Sequence, residues 1–369
     1  MDQELEEQGE ETREAGKEKK DRELANIWSL LFADDTKLAS SLKSNTEMQT
    51  LKNLLTKIYR WVEDNRMLVN DGKTEFIRFG RLPIEEEGYK MPDGEGIKKV
   101  SKVRDLGVTF QEDASFKLHI ADVKTKSINM SAWLLRTFRN RSMGFMRFLY
   151  QTYIVPITDY CSQLYTPVNY SEIDTLESIP HAWTRRCQQI KDQHFWDRIR
   201  MLGISSIQRR QERFRIILTW KIIEGLIPHY GDIKSIWRPH KGRMLLEKNI
   251  KESSRAKSVQ EASFRVQAAR LWNSLPKCIR DYRTADGGTL EGFKRSLGAY
   301  LQCIPDLPRD QAGGWMPDPK DSKDRHSNSL YHWRPYIQKN FPQKAKEMEK
   351  IVLYNSYRAP GGMSQEGLD

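Results

Sequence analysis

The sequence predicts an α+β protein: a small antiparallel sheet with packed helices, followed by a mostly helical region. Three observations predict it. "IWSLLF", Ile27 to Phe32, and "VRDLGVTFQ", Val103 to Gln111, are apolar runs of strand length. Between them Met48, Leu51, Leu54, Leu55, Ile58 and Val62 recur at three-and-four spacing, the stripe of an amphipathic helix. From His119 onward the apolar residues keep a mainly helical period.

Each element has its local cause. "LLFADDTKLA", Leu30 to Ala39, reads as a buried strand, a tight turn at Ala33-Asp34-Asp35 and a returning strand. Adjacent side chains of a strand point to opposite faces, so Asp34 and Asp35 converge only if the backbone turns there. Ser44 and Glu47 have the spacing of a capping box, which starts the amphipathic helix and carries it to about Asn65. Asp71-Gly72 supplies turn chemistry ahead of another strand ending near Gly80. Residues 82–96 are rich in Pro, Glu and Gly and read as a loop. Gly107 divides Val103 to Gln111 into a strand pair or a bent strand. "HIADVKTKSINMSAWLLRTFRN", "MGFMRFLYQTYIVPITDYCSQLY" and Arg185 to Gly225 read as helices, closed by Pro228. "RLWNSLPKCIRD" and "LEGFKRSLGAYLQCIP" give two shorter ones.

The chain has 369 residues, enough for two or three domains, and a net charge of +11. Met1 to Asn26 holds ten acidic and five basic residues, which leaves the remainder at +16. That segment reads as a disordered charged leader, and 309–369 as a largely disordered tail. A basic body points to a polyanion, most simply nucleic acid. From Trp183 to Lys221 there are ten Lys and Arg against three Asp and Glu. Within it "WTRRCQQIKDQHFWDRIR" interleaves aromatic and basic side chains. Arg185, Arg186, Arg198, Arg200, Arg209 and Arg210 are the candidate phosphate contacts, with aromatics as stacking surfaces. The alternative is a surface helix whose Trp and Phe face the core.

Cys161, Cys187, Cys278 and Cys303 form no CxxC pair, so neither a disulfide framework nor a zinc ribbon is expected. His326 and His332 have no cysteine beside them to complete a zinc site. No run approaches the ~18 apolar residues of a membrane span. The N-terminal segment lacks the apolar stretch of a signal peptide. The expected setting is cytoplasmic or nuclear, neither secreted nor membrane-bound.

The order of segments carries a resemblance. Phe32-Ala33-Asp34-Asp35, the amphipathic helix, "WVEDNRMLVNDGKTEFIRFG" and "VSKVRDLGVTFQEDASFKLHI" together resemble the palm of reverse transcriptases from non-LTR, LINE-like retrotransposons. Trp61, Asn65, Leu68, Asn70, Lys73, Thr74, Glu75 and Phe79 match that family's pattern after the metal-binding hairpin. Leu106 to Val108, with His119-Ile120, look like the approach to the thumb. "SFRVQAARLWNSLPKCIRD" followed by "FKRSLGAYL" is similar to the tail of such reading frames. The resemblance covers roughly Trp28 to Pro308.

It implies a palm-like sheet over 27–112, a thumb-like helical region over 113–230 and a C-terminal helical region over 231–308. The implied activity is RNA-directed DNA synthesis on an RNA template with a DNA primer. Asp34 and Asp35 would be carboxylates of a Mg²⁺ site, an oxygen-ligand site suited to phosphoryl chemistry. The competing reading is an aspartate capping a turn. Lys73 would donate a proton to the leaving pyrophosphate, or is an ordinary surface lysine before a strand. Gly107 would admit the primer backbone closely, or is a turn glycine. The family's palm also needs an aspartate on an earlier strand and a set of fingers. Only 33 residues precede Asp34, and the Asp2 and Asp21 among them lie outside any apolar run. The expectation is therefore a partial polymerase, inactive alone, or a non-catalytic nucleic-acid-binding remnant.

Overall fold

Residues 27–80, 88–91, 94–165, 167, 170–227, 239–240, 243–245, 263–302, 304–308 and 329–330 are described in a computed structural model. The leader to residue 26, Pro228, Cys303 and the tail 309–369 apart from residues 329–330, with its pair His326 and His332, lie outside them. Contacts divide the chain into two units, Met1–Ser115 and Phe116–Asp369. The class is α+β.

In the first unit β1 (Ile27–Phe32) pairs antiparallel with β2 (Asp35–Ser40), and Phe32 faces Asp35 across the turn. α1 (Asn45–Asp64) follows. Its Ser44 hydroxyl accepts from the Glu47 N–H at 3.3 Å, and the Glu47 carboxylate accepts the Ser44 N–H at 3.1 Å. This is the capping box that the sequence specifies. The apolar stripe of α1 is half-buried, and only Met48 is fully so.

A 3₁₀ turn at Asp71–Lys73 leads to β3 (Glu75–Phe76), which pairs in parallel with β4 (Lys98–Lys99). β5 (Lys102–Asp105) and β6 (Val108–Gln111) form a second antiparallel hairpin. Among the described residues these strands pair in twos rather than as one sheet. Strands of two residues offer too few ladder bonds to join the flanking hairpins. One expectation is corrected: β1 is not a buried strand. Leu31 and Phe32, on opposite faces of the hairpin, are 75% and 63% exposed.

The second unit is helical. It runs through α2 (Lys117–Thr137), α3 (Met143–Leu149), a π-helical turn at Tyr150–Ile154, α4 (Val155–Asp159), α5 (Tyr170–Thr184), α6 (Phe195–Leu202) and α7 (Ile207–Ile223). A two-stranded ribbon, β7 (Pro239–His240) with β8 (Met244–Leu245), precedes α8 (Phe264–Ser274), α9 (Lys277–Arg280) and α10 (Leu290–Gln302). Among the described residues two apolar clusters form its core. Leu134, Met146, Tyr150, Trp183 and Ile199 belong to the first. Trp220, Trp272, Phe293 and Leu297 belong to the second, where the Trp220 and Phe293 rings stack at 4.7 Å. Each buried indole N–H finds a carbonyl, as an apolar ring with one polar group must. Trp183 donates to Met146 at 3.1 Å, Trp220 to Tyr282 at 2.8 Å and Trp272 to Arg243 at 2.7 Å.

α7 belongs to both clusters. Ile207 packs in the first, and Ile216, Ile217 and Trp220 in the second. Helices on either side of the division expected near residue 230 therefore share one core. The start of α7 is closed by three side chains. The Ser206 hydroxyl accepts from the Arg209 N–H at 3.1 Å. Asp306 accepts the Ser206 N–H at 2.8 Å and its hydroxyl at 2.7 Å. Glu177, reaching from α5, accepts the Gln208 N–H at 3.0 Å. Burial pushes the Glu177 carboxyl up to about 7, against the pull of the Gln208 N–H and with help from the Asp306 charge.

A carboxyl with a raised folded pKa binds more protons folded than unfolded. Its contribution is complete below the ordinary 4.5 and is lost as pH rises through about 7. Glu177→Gln keeps an acceptor for Gln208 and removes the charge. Relative to wild type it should gain stability as pH rises from 4.5 to 7, by about 3 kcal/mol at most. Urea melts of both proteins across that window check this; a constant difference between them would sink it.

Candidate functional site

The two aspartates sit at the tip of the β1–β2 hairpin. The loop is Ala33-Asp34, and Ala33 has φ +53°, a left-handed conformation that glycine normally supplies at the first position of a II′ turn. Holding alanine there costs about 1–2 kcal/mol. Such local strain clusters at functional sites. Both carboxylates are exposed, and neither has a hydrogen bond or ion pair with another described residue. Asp35 opens β2 and shares a face with Lys37, whose ammonium pairs with the Asp105 carboxylate at the end of β5. That contact ties the Asp34-Asp35 hairpin to the hairpin that carries Gly107.

Leu106 and Gly107 form the β5–β6 loop with φ +43° and +84°, the pattern of a I′ turn. The turn alone accounts for Gly107. Lys73 is exposed at the end of its 3₁₀ turn. Among the described residues no three His, Cys, Asp or Glu side chains gather into a group that could hold a metal ion. Asp34 and Asp35 alone do not make the donor set of a two-metal site.

The basic helices divide sharply. Arg185 and Arg186 are exposed, and Arg200 is exposed beside Asp197, which accepts from it at 2.7 Å. Arg198, Arg209 and Arg210 are turned inward, which corrects their reading as phosphate contacts. Arg198 donates to the Thr184 hydroxyl at 2.9 Å and the Gln193 carbonyl at 2.6 Å. Arg209 donates to the Pro305 carbonyl at 2.9 Å and lies 3.8 Å from Asp306. Arg210 donates to Asp159 and to Thr158, both at 2.9 Å, with its guanidinium over the Tyr150 ring. Burial alone would lower the Arg210 pKa, but Tyr150 and Asp159 hold it above the usual value. The aromatics are likewise only partly available. Trp183 is core, while Phe195 and Trp196 are half-buried against one another at 4.8 Å.

Sequence reasoning missed the roles inside "RLWNSLPKCIRD". Asn273 clamps β8: its amide donates to the Leu245 carbonyl and its oxygen accepts the Leu245 N–H, both at 2.8 Å. Trp272 and Leu275 fill the core, and Pro276 caps α9. The signal was present in an asparagine next to a tryptophan within an apolar helix, where neither polar group can stay unpaired.

No family model matches the chain, and no solved structure matches it. It is similar to an uncharacterized protein of Caenorhabditis elegans, 27% identical over 139 residues that make up 37% of this chain and 70% of that protein. Among the described residues no helix is long and apolar enough to cross a membrane.

The division of the arginines is testable by stability. Breaking a buried ion pair by removing one partner costs about 3–5 kcal/mol. Arg210→Ala should fall in that range in urea melts. Arg185→Ala and Arg186→Ala should each stay within about 0.5 kcal/mol, as exposed substitutions do. Equal costs at the three positions would refute the assignment.

Proposed function

We propose that the chain is part of an RNA-directed DNA polymerase of the non-LTR retrotransposon type, inactive alone, whose partner is nucleic acid. One observation carries the reading. Asp34 and Asp35 stand at the exposed tip of a hairpin whose turn holds an alanine in a left-handed conformation. Around it the elements follow the order that the resemblance implies: hairpin, capped amphipathic helix, short strand, second hairpin, then helices. Two carboxylates presented this way are suited to a hard cation such as Mg²⁺, which binds through one or two carboxylates plus substrate phosphates. Among the described residues no third donor joins them, so the reading places that donor, and the surface that orients the incoming nucleotide, outside those residues. Orientation alone is worth ~7–11 kcal/mol of a barrier.

A second reading, nucleic-acid binding without catalysis, is favoured by the +11 charge and the exposed Arg185, Arg186 and Arg200.

The chain should extend no primer on an RNA template with magnesium or manganese. Extension that the Asp34→Ala, Asp35→Ala double variant abolishes would show the site to be complete. Filter binding should detect RNA and a primed RNA–DNA hybrid at low salt, with affinity falling steeply as salt rises, because phosphate contacts release counterions. Absent or salt-independent binding would remove the nucleic-acid reading.

A further inference from the structure

The helical unit contains a cleft of about 980 Å³ that the assignments above do not use. His194, Trp196 and Arg200, at and just before the start of α6 and along it, line the cleft. Arg213 of α7 and Gly298 and Gln302 of α10 line it too. Four arginines line the cleft, against Asp197 and Asp306. Arg209 and Arg210 are matched by Asp306 and Asp159. Among the described residues Arg200 pairs with Asp197 at the surface, and such pairs are weak. Arg213 has no hydrogen bond or ion pair within 4 Å of a described residue. Burial lowers its pKa despite the opposing charges of Glu291 and Asp159. A desolvated cation whose neighbours do not offset its burial is stabilised by an incoming anion. Beside these cations stands the half-buried Trp196, a planar surface for a planar ligand.

We propose that this cleft is a seat for single-stranded nucleic acid, with phosphates on Arg200 and Arg213 and a base stacked on Trp196. The inference rests on the nucleic-acid reading above and names where that partner sits. Stacking on an aromatic ring beside a cationic track is how single strands are held without sequence preference. Its volume lies at the upper end of the ~300–1,000 Å³ range of small-ligand pockets, room for a base and its phosphates.

Gly298 supplies a steric test, because a Cβ added there meets nothing within 4 Å. Gly298→Ala should fold and bind as wild type, while Gly298→Met projects a long side chain into the cleft. Binding of 5′-labelled ten-residue oligo(dT) and oligo(U) to the full chain is followed by fluorescence anisotropy at low salt. Arg200→Gln with Arg213→Gln should lose on the order of tenfold in affinity. Trp196→Ala should lose about 5- to 100-fold, the range of one stacked base. Gly298→Met should weaken binding where Gly298→Ala does not. Lys126→Gln with Arg139→Gln removes the same charge from exposed positions outside the cleft and should change affinity less than about threefold.

If that control loses as much as the cleft pair, or if Gly298→Met binds normally, the cleft is overturned while the nucleic-acid reading stands. No binding by the wild-type chain overturns both. Equal competition by a poly-glutamate peptide of matched charge would mean that the cleft takes any polyanion, and would overturn the assignment to nucleic acid.

Discussion

The helical unit depends on the neutralisation of α7. This helix runs through both apolar clusters, yet Arg209, Gln211, Glu212 and Arg215 on it are all buried. An ionised side chain in that position is tolerated only if paired and hydrogen-bonded. The partners come from distant parts of the chain. Asp159 closes α4, and Asp306 follows α10 and binds both Ser206 and the Arg209 side. Glu212 accepts the Leu330 N–H at 3.0 Å and also pairs with the Ser329 hydroxyl. Each pairing fixes a different segment against the same helix, so the charges decide which parts of the chain meet. The apolar clusters supply the driving force, and α7 supplies the register.

That arrangement explains where the sequence could be read and where it could not. Local signals were legible. The Ser44–Glu47 box starts α1 at Asn45, and Leu106-Gly107 makes a tight hairpin turn because its backbone has the φ values that a I′ turn requires. Neither depends on anything beyond a few neighbouring residues. "IQRRQERFRI" was not legible in the same way. A run of arginines reads as a solvated face because exposed arginine is the rule. Its partners are 51 residues away at Asp159 and 100 residues away from Ser206 at Asp306, and no local pattern encodes those distances. A helix buried on most sides also loses the separation of polar and apolar faces by which amphipathic helices are recognised. The same blindness placed Trp183 among stacking surfaces, when its indole belongs to the core and donates to Met146.

The candidate catalytic hairpin was legible in outline for the opposite reason. A two-residue loop between short strands is a local object, and its carboxylates are placed by backbone geometry rather than by distant partners. Its surroundings were not legible. Nothing in the spacing of Lys37 and Asp105 announces that they pair across two hairpins. The pair sits two residues beyond Asp35 and one before the Leu106-Gly107 loop, so it links the two turns that the resemblance singles out. Its worth is in orientation rather than stability, since partly exposed ion pairs contribute roughly 0–1 kcal/mol.

Orientation is also where the first unit falls short by itself. A chemical site requires its groups to be held within about 0.5 Å of the productive geometry by rigid supporting elements. Here the carboxylates stand on a two-stranded ribbon, and a lone ribbon is marginally stable in water. Leu31 and Phe32, next to the turn, leave both faces of that ribbon in solvent, where packed side chains would otherwise fix its angle. Ala33 meanwhile holds a conformation that costs energy rather than supplying it. Strain of this kind persists where surrounding structure over-determines the backbone, and the tie that the described residues show here is the Lys37–Asp105 ion pair. The two units therefore differ in what limits them. In the helical unit Arg209 and Arg210 are held by Asp306 and Asp159, carboxylates from distant parts of the chain. In the hairpin unit both carboxylates stand exposed at the turn, and on the proposed reading a further packed surface would immobilise them before they align a metal ion with a phosphate.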